Sequence, residues 1–213
     1  MLVYTSLDYV IITLTKAAAD LGKEFKEINP LSVWFEKDRN LILEEKLNLN
    51  VSEFWEAFRK YDTPESRIKN TKPYYDTKIV LDSLRKKGYR TAVLTAAQNK
   101  IAKAEIGLIG EEYFDAVLVA QECNGIMPKP HPDGIEKCLG LLDLGKEEVV
   151  FVDNSDEDIE TAENAGVLDV LIDREEYKFP NLKPSHKITS LYELGKTLSK
   201  QLSLMRRNVY KRG

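Results

Sequence analysis

Polar side chains that could bind a phosphate and a divalent cation follow successive apolar runs of this 213-residue chain. A hydroxyl and a carboxylate, Ser6 and Asp8, follow the first run. Thr95 and Lys129 follow later runs, and an acidic stretch at 153–158 follows another. A lysine supplies a point charge for an anion, a threonine supplies a hydroxyl donor, and carboxylates are the hard oxygen ligands that Mg²⁺ prefers.

The elements that would position these groups alternate between strand and helix. Continuous apolar runs predict strands, and amphipathic runs between them predict helices. The predicted strands are 89–95, 116–119, 149–152 and 167–172, and the predicted helices are 76–87, 99–107, 132–142 and 156–165. This alternation is typical of crossover units and a parallel sheet covered on both faces. Since ligands bind at the carboxyl ends of such strands, the polar groups are expected to share one edge.

A helical segment separates the first apolar run from this alternating region. Residues 14–72 carry apolar side chains at helical spacing, and Ser52 is the expected N-cap of one of their helices. We therefore predict an α/β protein. A doubly wound parallel sheet domain takes in 1–13 and 73–213, and a small helical domain is inserted into it.

Four aromatic side chains of this insert have two possible roles. They are Trp34, Phe35, Trp55 and Phe58. Their helical spacing predicts that they form the core of the insert itself. An aromatic lid over an organic ligand is the alternative.

Composition excludes several classes of protein. The net charge of −4 provides no strong basic field, so we expect no nucleic-acid partner. No apolar run approaches the roughly 20 residues of a membrane span, so we expect no membrane partner and a cytoplasmic location. Cys123 and Cys138 lack metal-ligand or redox spacing and are predicted to be free thiols. The basic residues at 205–212 predict a solvated tail or the end of a helix. The oligomeric state is left open.

Each candidate group also has an ordinary structural interpretation. Asp8 could cap a turn, Thr95 could be an N-cap, and Lys129 could be a surface lysine between two prolines. The acidic stretch at 153–158 could simply favour a helix N-terminus, since anions there offset the helix dipole. Their occurrence at successive strand ends favours a ligand pocket over four separate structural roles.

The order of these motifs resembles the haloacid dehalogenase-like hydrolase superfamily. Leu94-Thr95 is similar to its phosphate-binding second motif, and 127–132 is similar to its third, with Lys129 as the charge-neutralising lysine. The stretch 151–166 is similar to its acidic metal motif and the helix that follows. The helical insert stands where the family carries a small cap. The resemblance implies a phosphatase or a dehalogenase, with Mg²⁺ as the cofactor of the phosphatases.

The first and fourth motifs depart from the family pattern. In the best alignment, Ser6 stands in place of the nucleophilic aspartate and Asp8 takes the acid/base place. Asn154 occupies the principal metal-ligand place, Asp153 occupies a glycine place, and Asp158 matches the later acid. A serine hydroxyl is a poor nucleophile unless a base removes its proton. Loss of two anionic oxygens should also weaken Mg²⁺ binding.

A second alignment makes Asp8 the nucleophile and places Val10 at the acid/base position. It lengthens the first strand but fits the rest of the motif less well. Asp8 is the central residue of the first motif in both alignments.

Three functions follow from the resemblance. The first is a degenerate Mg²⁺-dependent phosphate-ester hydrolase, and the second is a non-catalytic member that binds a small phosphorylated or other anionic ligand. A dehalogenase is the third. The resemblance assigns catalysis to Ser6, Asp8, Thr95 and Lys129, substrate binding to Thr95, Ala96 and Lys129, and a weak Mg²⁺ site to Asp153, Asn154 and Asp158.

Overall fold

An α/β core and a helical cap make up residues 2–197, which are the residues described by this computed structural model. The fold class predicted from the sequence is confirmed. The basic stretch at 205–212, predicted to be a solvated tail or helix end, lies outside the described residues.

Parallel pairing dominates the strands of the core. The strands are β1 (Val3–Thr5), β2 (Thr71–Pro73), β3 (Ala92–Thr95), β4 (Ala116–Val119), β5 (Val150–Asp153), β6 (Leu168–Ile172) and β7 (His186–Ile188). β3 pairs with β4, and β5 pairs with β6, which pairs in turn with β7; all three ladders are parallel. Within residues 2–197, no hydrogen-bonded ladder joins β3 to β5. The parallel sheet is therefore in two parts.

Helices cover the core and build the cap. The cap helices are α1 (Leu7–Asp20), α2 (Pro30–Phe35), α3 (Arg39–Leu41) with a π-helical turn (Ile42–Lys46), α4 (Val51–Tyr61) and α5 (Pro64–Lys69). The core helices are α6 (Thr77–Lys86), α7 (Asn99–Ile109), α8 (Asp133–Leu142) and α9 (Asp156–Ala165). Single 3₁₀ turns lie at Glu111–Tyr113, Glu122–Asn124, Lys146–Glu148 and Leu191–Glu193. The four core helices begin and end within two residues of their predicted bounds.

The first strand forms ahead of Ser6 as predicted, but it does not join the predicted parallel sheet. β1 pairs antiparallel with β2, at the junction of cap and core, and does not join the parallel sheet. The apolar run that follows is helical, because Val10, Leu14 and Ala17 recur at a helical period and are buried in the cap. The predicted boundary between residues 13 and 14 therefore falls inside α1.

The cap has its own apolar core. Phe54 is fully buried there, and Phe58 is buried in the same cluster. Trp34 and Trp55 are half-buried, and both rings contact the ring of Phe58. Phe58, Trp34 and Trp55 therefore pack as cap core, whereas Phe35 stacks on the ring of Tyr177 outside the cap. All four side chains also line the cavity described below, as the lid alternative requires.

The N-cap of α4 is Asn50, so the prediction of Ser52 is wrong. The Asn50 side chain accepts a hydrogen bond from the backbone N–H of Glu53 at 3.1 Å. Asparagine caps a helix about as well as serine, and it lies two residues earlier in the chain.

Two further expectations concern the described residues. Cys123 and Cys138 are free thiols, as predicted. No helix between residues 2 and 197 is both long enough and apolar enough to cross a membrane.

Candidate functional site

A cavity of about 1170 Å³ lies between β3 and β5 and extends to the cap. Its wall includes the residues that immediately follow both strands. Six of the predicted groups line it: Thr95, Ala96, Lys129, Asp153, Asn154 and Asp158. Polar residues from three separate strand ends therefore border the same cavity. Their roles in a common site stay predictions.

Ser6 and Asp8 are not among the residues that line this cavity, although their neighbours Thr5 and Leu7 are. Ser6 is the N-cap of α1, where its Oγ accepts from the backbone N–H of Tyr9. Asp8 lies exposed in the first turn of α1, a position where a carboxylate offsets the helix dipole. Their catalytic roles stay predictions, and the structure does not bring either residue to the site of the others.

Lys129 forms a buried ion pair at this end of the cavity. Its Nζ donates to the carboxylate of Asp158 and lies 4.0 Å from Oδ2 of Asp153. Only 7 % of the Lys129 side chain and 5 % of the Asp158 side chain are exposed. Burial lowers the pKa of Lys129, but the two carboxylates raise it further, so its pKa lies above the ordinary value. Lys129 is therefore a permanent cation.

Both carboxylate oxygens of Asp158 have a partner, Lys129 for one and Ser155 for the other. Its second carboxylate oxygen accepts from Ser155 Oγ, and Ser155 Oγ also accepts from the Asp158 backbone N–H at 3.2 Å, capping α9. Burial and the neighbouring Asp153 raise the pKa of Asp158 to about 6, against the opposing effect of Lys129. The helix cap and the ion pair thus fix the same carboxylate.

Thr95 and the start of α7 form another part of the cavity wall. The Thr95 hydroxyl accepts from the backbone N–H of Ala97 at 3.1 Å. Helix α7 begins directly afterwards, and its N-cap, Gln98, makes no side-chain capping hydrogen bond. The first N–H groups of a helix attract anions. This wall can therefore bind an anion through backbone donors as well as through a hydroxyl.

Asn154 connects the site to a carboxylate that the sequence analysis missed. Asn154 Nδ2 lies 3.3 Å from Oε2 of Glu176, and Glu176 also accepts from the hydroxyl of Tyr74. Burial raises the pKa of Glu176, and it lines the same cavity. Residues 173–176 follow β6, so the rule that ligand groups follow strands could have identified Glu176.

The cap contributes cations near the acidic first turn of α9, which the sequence analysis also missed. Arg39 Nη2 donates to Glu157 Oε2 at 2.8 Å, and Lys37 Nζ donates to Glu160 Oε2 at 2.6 Å. The backbone N–H of Lys37 donates to Asp156 Oδ1 at 3.0 Å. Lys37 and Arg39 line the cavity, and their ion pairs with Glu160 and Glu157 join the cap to α9 at its edge. No spacing in the sequence links residues about 120 positions apart.

The donor set does not fit a resident Mg²⁺ ion. Asp158 is engaged by Lys129, and Asn154 offers a neutral amide in place of an anion. Across residues 2–197, no three His, Cys, Asp or Glu side chains are grouped as a metal site would require. Hard cations need several anionic oxygens that are free to coordinate.

The fold and the cavity define a capped α/β protein with a polar site at its strand ends. The sequence profile of the haloacid dehalogenase-like hydrolases matches residues 8–172. The chain belongs to this family. Ser6 lies outside the matched residues, and Asp8 is the first of them.

A bacterial relative and two solved structures illustrate the similarity. A candidate pyrophosphatase PpaX from Caldanaerobacter subterraneus subsp. tengcongensis is 33% identical over 132 residues, which are 60% of this chain and 59% of that protein. The match thus spans less than two thirds of that relative.

The solved structures share the fold at low sequence identity. A candidate phosphoglycolate phosphatase from Lactobacillus delbrueckii subsp. bulgaricus gives a TM-score of 0.75 at 17% identity, covering 92% of this chain and 93% of that one. A family hydrolase from Deinococcus radiodurans, solved with bound phosphate and sodium, gives a TM-score of 0.65 at 15% identity, covering 94% and 91%.

Proposed function

We propose that the cavity between β3 and β5 binds a small phosphorylated ligand. We also propose that residues 2–197 do not hydrolyse this ligand at an ordinary enzyme rate. The observation that carries this proposal is a buried cation, Lys129, in a cavity that Thr95 and the N-terminus of α7 also line. A phosphate group accepts hydrogen bonds from all three kinds of donor.

The absence of hydrolysis is proposed from the placement of the nucleophile candidates. Family hydrolysis begins with attack by a carboxylate, which forms a covalent intermediate. Ser6 is engaged as a helix cap, and Asp8 is exposed on α1 outside the cavity lining. Asp158 is paired with Lys129, so it is not oriented to attack. The chemistry that remains within residues 2–197 is binding and charge neutralisation.

A catalytic hydrolase of phosphate esters is the second candidate. The family membership supports it, and the candidate pyrophosphatase among the relatives makes pyrophosphate a natural test substrate alongside phosphate monoesters. Under this candidate a group that does not line the cavity would act as nucleophile, and further anionic oxygens would have to complete the poor Mg²⁺ ligand set of Asp153, Asn154 and Asp158.

Calorimetric titration with orthophosphate tests the proposal. We expect the wild-type protein to bind, Lys129→Met to weaken binding at least tenfold, and Thr95→Val to weaken it less. Lys137→Met is the matched control, because Lys137 is a half-exposed lysine nearby that pairs with Asp133 and does not line the cavity. Lys129→Arg, which keeps the charge, should retain part of the affinity.

Equal affinity of the wild type and Lys129→Met for orthophosphate would refute the anion site. Circular dichroism of each variant, recorded before titration, separates loss of the site from loss of the fold.

A further inference from the structure

We propose that the slot between β3 and β5 binds one extended, apolar segment of polypeptide, presented from the side of Leu2, which completes the parallel sheet. The slot is the part of the cavity that separates the two halves of the sheet, away from the polar residues at the strand ends. This inference does not depend on the proposed function.

Both walls of the slot are strand edges. β3 pairs only with β4, and β5 pairs only with β6, among the residues that the structure describes. The carbonyls of Thr91 and Thr95 accept hydrogen bonds from Asp115 and Ala120 on the β4 side. Since successive peptide groups of a strand alternate in direction, those of Ala92 and Leu94 face the slot. Such edges are templates for pairing with a further strand.

The slot is in the interior of the core and not on its surface. Apolar side chains of α6, α7 and α8 line the same cavity, including Leu81, Leu84, Ile106, Ile109, Leu139 and Leu142. Central strands of a parallel sheet are covered on both faces by helices. An apolar strand satisfies both requirements at once, because its side chains contact the helices while its peptide groups pair with β3 and β5. A small apolar ligand would leave the peptide groups unpaired.

The direction and length of the segment follow from its neighbours. Consecutive strands from β3 to β6 are joined through helices, which return the chain to the same end of the sheet each time. A strand between β3 and β5 would run parallel to both and contribute four or five residues, since each neighbour has four. Its carboxyl end would lie at the edge that carries Thr95 and Asp153.

The side of Leu2 is the entry that the structure favours. Leu2 and Val3 line the cavity, and Leu2 packs against the apolar clusters around Val80 and Leu81. A segment presented there reaches the slot directly. A polypeptide strand added to an exposed edge is a recurrent mode of recognition, in which backbone hydrogen bonds supply affinity.

A synthetic peptide with the sequence Val-Ile-Val-Ile-Val between pairs of lysines serves as the probe. Fluorescence anisotropy should show binding to the full chain, and amide hydrogen exchange should show at least tenfold slower exchange at Leu94 and in β5. A peptide tethered ahead of Met1 through a Gly/Ser linker should slow amide exchange at Leu94 and in β5 more than the same peptide tethered after Gly213.

Two N-methylated peptides provide the decisive control. One carries N-methyl groups on the first, third and fifth core residues, and the other on the second and fourth, so each blocks one hydrogen-bonding side. A strand held between β3 and β5 uses both sides, so each peptide should bind at least tenfold more weakly. A peptide on the outer edge of β4 or β7 would tolerate one of the two patterns, and that result would overturn the proposal.

Other results would also overturn it. These are the absence of binding by free and tethered peptides, or protection confined to β4 and β7. Sedimentation of the untreated protein as a dimer with β3 and β5 already protected would instead assign the slot to a second copy of the chain. Orthophosphate titration of the same samples is read independently, so failure of the strand proposal is distinguishable from failure of the anion site.

Discussion

Lys129 and Asp158 form a buried ion pair at the carboxyl end of β5, and Asp153 lies 4.0 Å from the same ammonium group. One cation therefore lies beside two carboxylates, one at the end of β5 and one in the first turn of α9. Removal of Lys129 leaves both carboxylates buried without their shared cation.

This arrangement predicts a strong coupling between Lys129 and Asp158. We expect Lys129→Met to lower the free energy of unfolding by about 3–5 kcal/mol, the usual cost of an unpaired buried charge. The double variant Lys129→Met/Asp158→Asn should recover part of that loss, because it also removes the buried carboxylate that pairs most closely with Lys129. Urea denaturation of the single and double variants measures the coupling. Additive losses would show that the two side chains do not interact in solution.

The Asp76–Arg174 pair predicts a pH dependence of stability. Asp76 is fully buried and accepts from Arg174 Nη1 and Nη2 at 2.9 and 2.8 Å, from Ser190 Oγ at 2.7 Å and from Leu191 N–H at 2.8 Å. Burial alone raises the pKa of Asp76, but these donors lower it further, so its pKa lies below the ordinary value.

A folded-state pKa below the unfolded value means that the unfolded state binds the proton more tightly. The stabilisation by Asp76 is therefore present above about pH 4 and is lost as the pH falls through the folded-state pKa. At pH 7, Asp76→Asn should cost about 3–5 kcal/mol of unfolding free energy. The difference from wild type should shrink at pH 3. Asp20→Asn, at an exposed carboxylate, is the control. A difference that stays constant with pH would contradict the assignment.

The position of Ser6 predicts the outcome of restoring the family's acidic residues. Ser6→Asp should change stability by less than about 0.5 kcal/mol, because serine and aspartate are comparable N-caps. Neither Ser6→Asp nor Ser6→Asp/Asn154→Asp should gain phosphatase activity, since residue 6 does not line the cavity. Chelator-sensitive turnover by the double variant alone would show instead that Ser6 occupies the nucleophile position.

The buried aromatic core of the cap gives a prediction about stability. Phe54→Ala should lower the free energy of unfolding by about 3–5 kcal/mol, because it removes a fully buried phenyl ring. Tyr75→Ala should have little effect, since Tyr75 is 72% exposed. Thermal or urea unfolding of the two variants measures the difference. Similar losses in both would argue against the packing of α4 in the cap.

Periodicity identified the core helices well, because each carries one apolar face and begins or ends at a recognisable residue. Helix α9 follows Ser155 and ends at Gly166, whose positive φ suits a glycine. The rule that ligand groups follow strands then selected Thr95 and Lys129, which line the same cavity. Their roles stay predictions.

The first strand forms where the sequence predicts it, but its antiparallel partner β2 could not be assigned from local sequence. Val10-Ile11-Ile12 has the composition of a strand, but tertiary contacts in the cap select the helical face that includes Val10 and Leu14. The three-residue strand β2 ends at Pro73 and gives too short a pattern to detect. Contacts between distant residues, such as Arg39 with Glu157, also leave no local signal.

Hydrolysis of a generic aryl phosphate tests the central claim most directly. The wild-type protein is assayed with Mg²⁺ and with chelator. The concentration of aryl phosphate is set well above the dissociation constant measured for orthophosphate, so that the site is occupied. We predict no chelator-sensitive turnover above the buffer rate. Turnover at ordinary enzyme rates, about 1–10³ s⁻¹, that is abolished by chelator and by Lys129→Met would contradict the account and establish a catalytic hydrolase.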